Sequence, residues 1–241
     1  MPDILEKWEV QPHEALVKAD DGILTVAGEI RMPLGNFPRR MTVVRLRSGH
    51  TAIYSAIALN EAEMARIEAM GRPAFLIVPG DHHRLDARIW KDRYPDVQVI
   101  APPAAKEAVE EAVPVDATSD ILDDPEVKLV IVPGLEGHEA ALEVRRAAGL
   151  TLVTNDIIAN VAHPHGVGAH IMARLFGFGL SEPQVPRPVK RGMIVADKLA
   201  LAAQFDAWAA DPQLRRIIVS HGDVIEANAA NVLRTLAEAL D

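Results

Sequence analysis

A run of apolar residues from Phe75 to Val78 stops at Pro79-Gly80 and opens directly into Asp81, His82, His83, Arg84, Leu85 and Asp86. A short β-forming run closed by Pro-Gly reads as a buried strand. The polar residues that follow it then sit at the strand's end, where open α/β sheets place their ligands. Three later segments repeat the arrangement: Gly137-His138, Asn155-Asp156, and Ser220-His221-Gly222-Asp223. Each lies close to the end of a β-like run. Together they predict one site assembled from several strand ends.

The rest of the chain is organised around those strands. Ile23–Val26, Met41–Leu46 and Thr51–Tyr54 are β-branched runs separated by turns, which predicts an initial β-meander. Asn60 is placed to cap a helix over Glu61–Met70 that stops at Gly71. Next come strand Phe75–Val78, a helix over Leu85–Tyr94 ended by Pro95, strand Val97–Ala101, and a helix over Ala104–Ala112. Such alternation implies parallel strands joined by crossover helices. Val127–Val132 reads as a further strand, and His138–Val144 with Leu150–Thr154 as a β-pair. Asn160–Phe178 reads as loop then helix, and Ser181–Pro188 as a surface connection. Helix Ala196–Ala210, strand Ile217–Ser220 and helix Ala227–Leu240 complete the order. This order fits an α/β fold, a four-layer αββα sandwich, in one domain over residues 1–241.

Composition narrows the chemistry. Length (241 residues) and apolar content (49%, with 24% charged) suit a soluble globular protein with a full core. A formal net charge of −9, without a long Lys/Arg run, argues against a nucleic-acid partner. There are no cysteines, so a transition metal would have to be held by His, Asp or Glu. No basic-then-apolar leader and no membrane-length apolar run occur, so the expectation is a cytoplasmic protein with no membrane partner. Neither a phosphate loop nor a Gly-x-Ser-x-Gly elbow is present, which disfavours nucleotide binding and the usual serine hydrolases.

The order of the loops resembles the metallo-β-lactamase fold, in which strand-end loops carry His-x-His-x-Asp-His, then Gly-His, then Gly-Asp, then a final His. Gly137-His138, Asn155-Asp156 and His221 match the last three in order and approximate spacing. More closely, the chain is similar to the DUF4336-type branch of that superfamily, through Arg40–Leu46, Pro79–Asp86, Tyr94-Pro95-Asp96 and Asn155-Asp156. The first loop departs from the family pattern. Aligned without gaps, Gly80 stands at the first His position, His82 at the second, Arg84 at the Asp position and Leu85 at the final His.

The resemblance implies a metal-dependent hydrolase of a small-molecule substrate with an atypical mono- or dinuclear site. His82 or His83, His138, Asp156 and His221 are the candidate ligands, enough for a catalytic zinc with an open position. Zinc comes first, iron or manganese suit the same donors, and a chain with no metal at all remains an alternative. Such an ion lowers the pKa of its water to about 7 for attack on an ester, lactone, amide or phosphoester. Adjacent side chains diverge, so only one of His82 and His83 is expected to face the site. Asp86 and Asp156 are candidate catalytic carboxylates. Asp86 could equally cap the following helix, and Asp156 could form an Asx-turn. Arg84 could bind a substrate anion or pair with Asp86 or Asp156. His163 and His165 share a face of an extended segment and are candidates for substrate contact, with a solvated loop as the alternative. Leu175–Leu180 could line a substrate entrance, form a homodimer contact or fill the core. The rival to the hydrolase is a catalytically silent protein of the same fold that binds a small ligand or a protein partner.

Overall fold

A computed structural model describes residues 4–30, 36–161, 182–186 and 195–240. Among these residues ten strands form two sheets. The first has the order β1 (Val17–Asp20), β2 (Ile23–Ile30), β3 (Phe37–Arg45), β4 (Thr51–Tyr54), β5 (Pro73–Ile77), β6 (Gln98–Ile100). β2, β3 and β4 form the predicted meander, β1 adds an antiparallel strand before it that the sequence reading did not identify, and β4, β5 and β6 are parallel. Parallel pairing requires crossovers, which α1 (Glu61–Met70) and α2 (Ala87–Arg93) supply, with α3 (Lys106–Glu110) after β6. The second sheet has the order β10 (Leu214–Gly222), β9 (Gly149–Asn160), β8 (Ala140–Arg146), β7 (Val127–Ile131). Helices α4 (Lys198–Ala209) and α5 (Ala229–Glu238) accompany it.

Period-two alternation sorts the side chains into layers. Val43, Ile53, Leu76 and Val99 point one way and pack with Met64 and Ile67 of α1, Trp90 of α2 and Val109 of α3. Their neighbours Val44, Tyr54, Ile77 and Ile100 point the other way and meet Leu129, Leu142, Val153 and Ile218 of the second sheet. On that sheet's far face Leu152, Ile217 and Val219 pack against Phe205 and Trp208 of α4 and Leu233 and Leu236 of α5. The layers are therefore helix, sheet, sheet, helix. Asn60 caps α1 as its sequence position predicts, accepting from the Glu63 N–H at 3.1 Å. Among the described residues no helix is long and apolar enough to cross a membrane.

One strand runs further than its sequence suggests. β9 does not stop at Thr154 but continues through Asn155 and Asp156 to Asn160, because Ile157, Ile158 and Ala159 are fully buried. Its register against β10 jumps: Val219 pairs with Thr154, but His221 pairs with Ala159. Residues 155–158 therefore bulge opposite Ser220, and such a bulge re-aims side chains. Asp156 is displayed on it. His163, His165 and the Leu175–Leu180 patch lie outside the described residues.

Candidate metal centre

Each inward-facing residue is delivered from a strand end. After β5 the chain passes through consecutive turns, with the His83 N–H reaching back to the Gly80 carbonyl at 3.4 Å. That turn sends His83 inward and leaves His82 exposed. Asp156 comes from the bulge of β9, and His221 from the end of β10. Beyond it Gly222 has φ 108°, and a Cβ there would lie 1.9 Å from the Asn160 carbonyl oxygen. Only glycine allows β10 to approach β9 so closely at this conformation. Arg40 of β3 donates to the Gly222 carbonyl through Nε at 3.2 Å and Nη2 at 2.9 Å, fastening this end of β10 to the other sheet.

His83, Asp156 and His221 place one ligand atom each within 4.8 Å of one another. His221 Nε2 lies 2.9 Å from Asp156 Oδ1, His83 Nε2 lies 3.4 Å from the same oxygen, and the two Nε2 atoms are 3.3 Å apart. The outer nitrogens are both engaged. His221 Nδ1 is 2.8 Å from the Pro38 carbonyl oxygen and His83 Nδ1 is 2.8 Å from Ser55 Oγ. A carbonyl only accepts, so His221 Nδ1 carries the hydrogen and donates it. In the neutral imidazole Nε2 is then a bare lone pair, facing a carboxylate that also only accepts. Two acceptors at 2.9 Å require a shared cation, either a proton or a metal ion. The donor set fits a divalent metal: two imidazoles and one carboxylate, with their outer nitrogens already fixed.

The electrostatics favour the ligating forms. Burial pushes the His83 imidazole below its ordinary 6.5 despite the opposing pull of Asp156, so its neutral form prevails at pH 7. Burial alone would raise the Asp156 carboxyl. The charges and hydrogen bonds of His83 and His221 overcome that and hold it well below its ordinary 3.8. Beside it lies Glu139, 2% exposed, whose Oε2 accepts from Asn155 Nδ2 at 3.4 Å. Burial, then the Asp156 charge, push the Glu139 carboxyl well above its ordinary 4.5. Glu139→Gln is expected to raise the thermal midpoint at pH 7 and to leave it unchanged near about pH 4. The folded protein keeps a proton that the unfolded chain releases above 4.5, so wild-type stability falls as pH climbs from there. The amide removes that loss. An equal gain in thermal melts at both pH values would show that packing, not protonation, is responsible.

The other sequence candidates are placed elsewhere. His138 pairs with Asp81, its Nδ1 being 3.2 Å from Oδ2, and the three-residue group does not include it. Arg84 donates to the Asp81 carbonyl at 2.8 Å and to Glu111 at 2.6 Å, so its ion pair is with neither Asp86 nor Asp156. Asp86, 1% exposed, stands at the head of α2 without capping it. It instead pairs with Arg39 of β3 and accepts from the Ala58 N–H at 2.9 Å. Sequence reading misses Ser55, Pro38 and Glu139. Ser55 follows β4 with φ 55°, a left-handed conformation that costs a non-glycine residue about 1–3 kcal/mol. No residue type near it signals that strain. A carbonyl such as that of Pro38 carries no sequence signal at all.

No family model and no curated protein matches the sequence. Solved structures match it in fold. A metallo-β-lactamase from Hirschia baltica superposes with a TM-score of 0.60 at 14% identity, covering 94% of this chain and 98% of its own. The DIM-1 metallo-β-lactamase, in a crystal exposed to ceftazidime, gives 0.63 at 14% identity over 97% of this chain and 100% of its own. FIM-1 from Pseudomonas aeruginosa, in its mono-zinc form, gives 0.60 at 13% identity over 95% and 96%. Identities this low speak to architecture, and the likeness runs through both sheets and nearly the full length. The chain has the metallo-β-lactamase fold.

Proposed function

We propose that this chain is a metal-dependent hydrolase of a small ester, lactone, amide or phosphoester, working through one divalent cation held by His83, Asp156 and His221. The observation that carries the reading is the convergence of two imidazole Nε2 atoms on the Asp156 carboxylate. A cation bound there supplies Lewis acidity and activates a water for attack. The chain's own residues hold the ligands in place. The Pro38 carbonyl and Ser55 hydroxyl orient the two imidazoles, and the Phe37 ring packs 4.8 Å from that of His221. Zinc suits the donors first, with iron or manganese as alternatives.

The first loop supports a single ion. At Gly80, which aligns with the family's first His, a Cβ would meet Asn155 Nδ2 at 3.2 Å and Glu139 Oε2 at 3.3 Å. That space is already used. The same loop, with Asn155-Asp156, supports membership of the DUF4336-like branch. Elemental analysis of protein purified without chelator, alongside hydrolysis assays on the four substrate classes, tests the reading. One metal per chain is expected, lost in His221→Ala and kept in His138→Ala, whose imidazole is turned to Asp81. Substoichiometric metal that zinc, iron and manganese all fail to restore would sink it. The second reading, a silent ligand-binding protein, is favoured by Gly80, Arg84 and Leu85 at three ligand positions of the family's first motif. A full metal complement with no turnover of any substrate class would select it.

A further inference from the structure

We propose that Ser55 is the positioning residue of this centre: its hydroxyl accepts from the His83 Nδ1–H and so presents the Nε2 lone pair to a divalent cation. This rests on the metal-dependent reading above. Three observations lead to it. Ser55 Oγ is 2.8 Å from His83 Nδ1, and the far nitrogen of the same ring is the one that faces Asp156 and His221. Ser55 holds a left-handed backbone that glycine would adopt without strain, so the position retains a side chain against its own backbone preference. The residue is 5% exposed, and its N–H is fixed to the Ile77 carbonyl at 3.0 Å, which anchors the hydroxyl to the end of β5, just before the loop that carries His83.

A neutral imidazole has one hydrogen, and the partner of one nitrogen decides which nitrogen carries it. His221 is settled by a carbonyl, whereas His83 depends on a hydroxyl that can donate or accept. Were Ser55 to donate instead, His83 Nε2–H would face Asp156, and Ser55, His83 and Asp156 would form an acyl-transfer relay. The distances favour the metal arrangement. Asp156 Oδ1 is nearer to His221 Nε2, at 2.9 Å, than to His83 Nε2, at 3.4 Å, so the carboxylate is not dedicated to His83. The near-complete burial of Ser55 also suits a support better than a nucleophile.

The test compares full-length wild type with Ser55→Gly and Ser55→Ala. Zinc affinity is read by competition with a chromophoric chelator, and the His83 tautomer by long-range proton–nitrogen NMR without added metal. Wild type is expected to show His83 protonated on Nδ1. Both variants should lose that tautomer and bind zinc about 10–100-fold more weakly, as for other outer partners of metal ligands. Ser55→Gly should melt no lower than wild type, because it relieves the backbone, which separates lost positioning from lost folding. Wild-type zinc affinity and tautomer in Ser55→Gly overturn the proposal. So does a fluorophosphonate adduct on Ser55 of the wild type, which would make it a nucleophile. A wild type that binds no zinc but keeps His83 protonated on Nδ1 overturns the metal reading and leaves the Ser55–His83 contact standing.

Discussion

Asp156→Ala should release the metal ion, weakening zinc binding by more than the ~10–100-fold that follows loss of an outer partner. Asp156 is the one anion in the group, and both imidazole Nε2 atoms turn toward it. Without it, two neutral nitrogens 3.3 Å apart remain, a weak and uncharged pair of donors. Asp156→Asn should fall nearly as far, since it keeps the shape but loses the charge. The pH profile adds a second signature. Asp156 is held well below its ordinary 3.8, so the stability it contributes is present above that value and lost only as pH falls through its depressed folded value. Metal release on acidification should therefore follow protonation of the His83 imidazole, below its ordinary 6.5, before that of the Asp156 carboxylate. Competition titration of each variant checks the first point, and metal retention across pH the second. Undiminished zinc binding by Asp156→Ala would remove the centre from its assigned position.

Asp86→Ala should destabilise the fold by about 3–5 kcal/mol without changing zinc affinity, because it strands a buried cation. Arg39 is 6% exposed, and among the described residues its Nε and Nη2 have no hydrogen-bond partner. Its Nη1 relies on Asp86, and the buried Ala58 N–H relies on the same carboxylate. The pair is nevertheless costly. Burial raises the Asp86 carboxyl above its ordinary 3.8, and Arg39 offsets that only in part. Wild-type stability attributable to Asp86 is therefore greatest in acid and declines as pH rises through the window above 3.8. Replacing both partners with apolar residues of similar volume, Arg39→Met with Asp86→Leu, should recover the part of the loss that comes from the stranded guanidinium, while the Ala58 N–H stays without its acceptor. Chemical denaturation of the single and double variants reads the difference. A loss under about 1 kcal/mol in Asp86→Ala would mean that the pair behaves like a solvated surface bridge.

The layering of the fold was legible because it depends on alternation. Val43 and Val44 must point to opposite faces, and a chain with buried residues at both positions needs cover on both sides of its sheet. The site was legible by region but less so by atom. His82 and His83 are equivalent in sequence, and the tight turn back to Gly80 decides between them. Asp156 reads as a loop residue because nothing in Thr154-Asn155-Asp156 announces a bulge that lets the strand continue. Asp86 reads equally as a cap or a site residue until Arg39, distant in sequence, is brought beside it by β3. Ser55 was invisible. A left-handed φ shows in a sequence when glycine occupies it, and here a serine does.

The first sheet provides His83 and its Ser55 support, and the second provides Asp156 and His221. An ion held by all three is therefore a staple between two layers that otherwise meet through a largely apolar core and a few hydrogen bonds, such as Tyr54 to the Ala140 carbonyl and Arg40 to that of Gly222. Opening the sandwich would require giving up that ion. Its binding free energy is thus available to the whole native state, growing with the logarithm of free metal concentration. The last amide hydrogens to exchange would then be those of β9 and β10 nearest the bulge, and a chelator would act on this protein first as a denaturant of the seam between its halves.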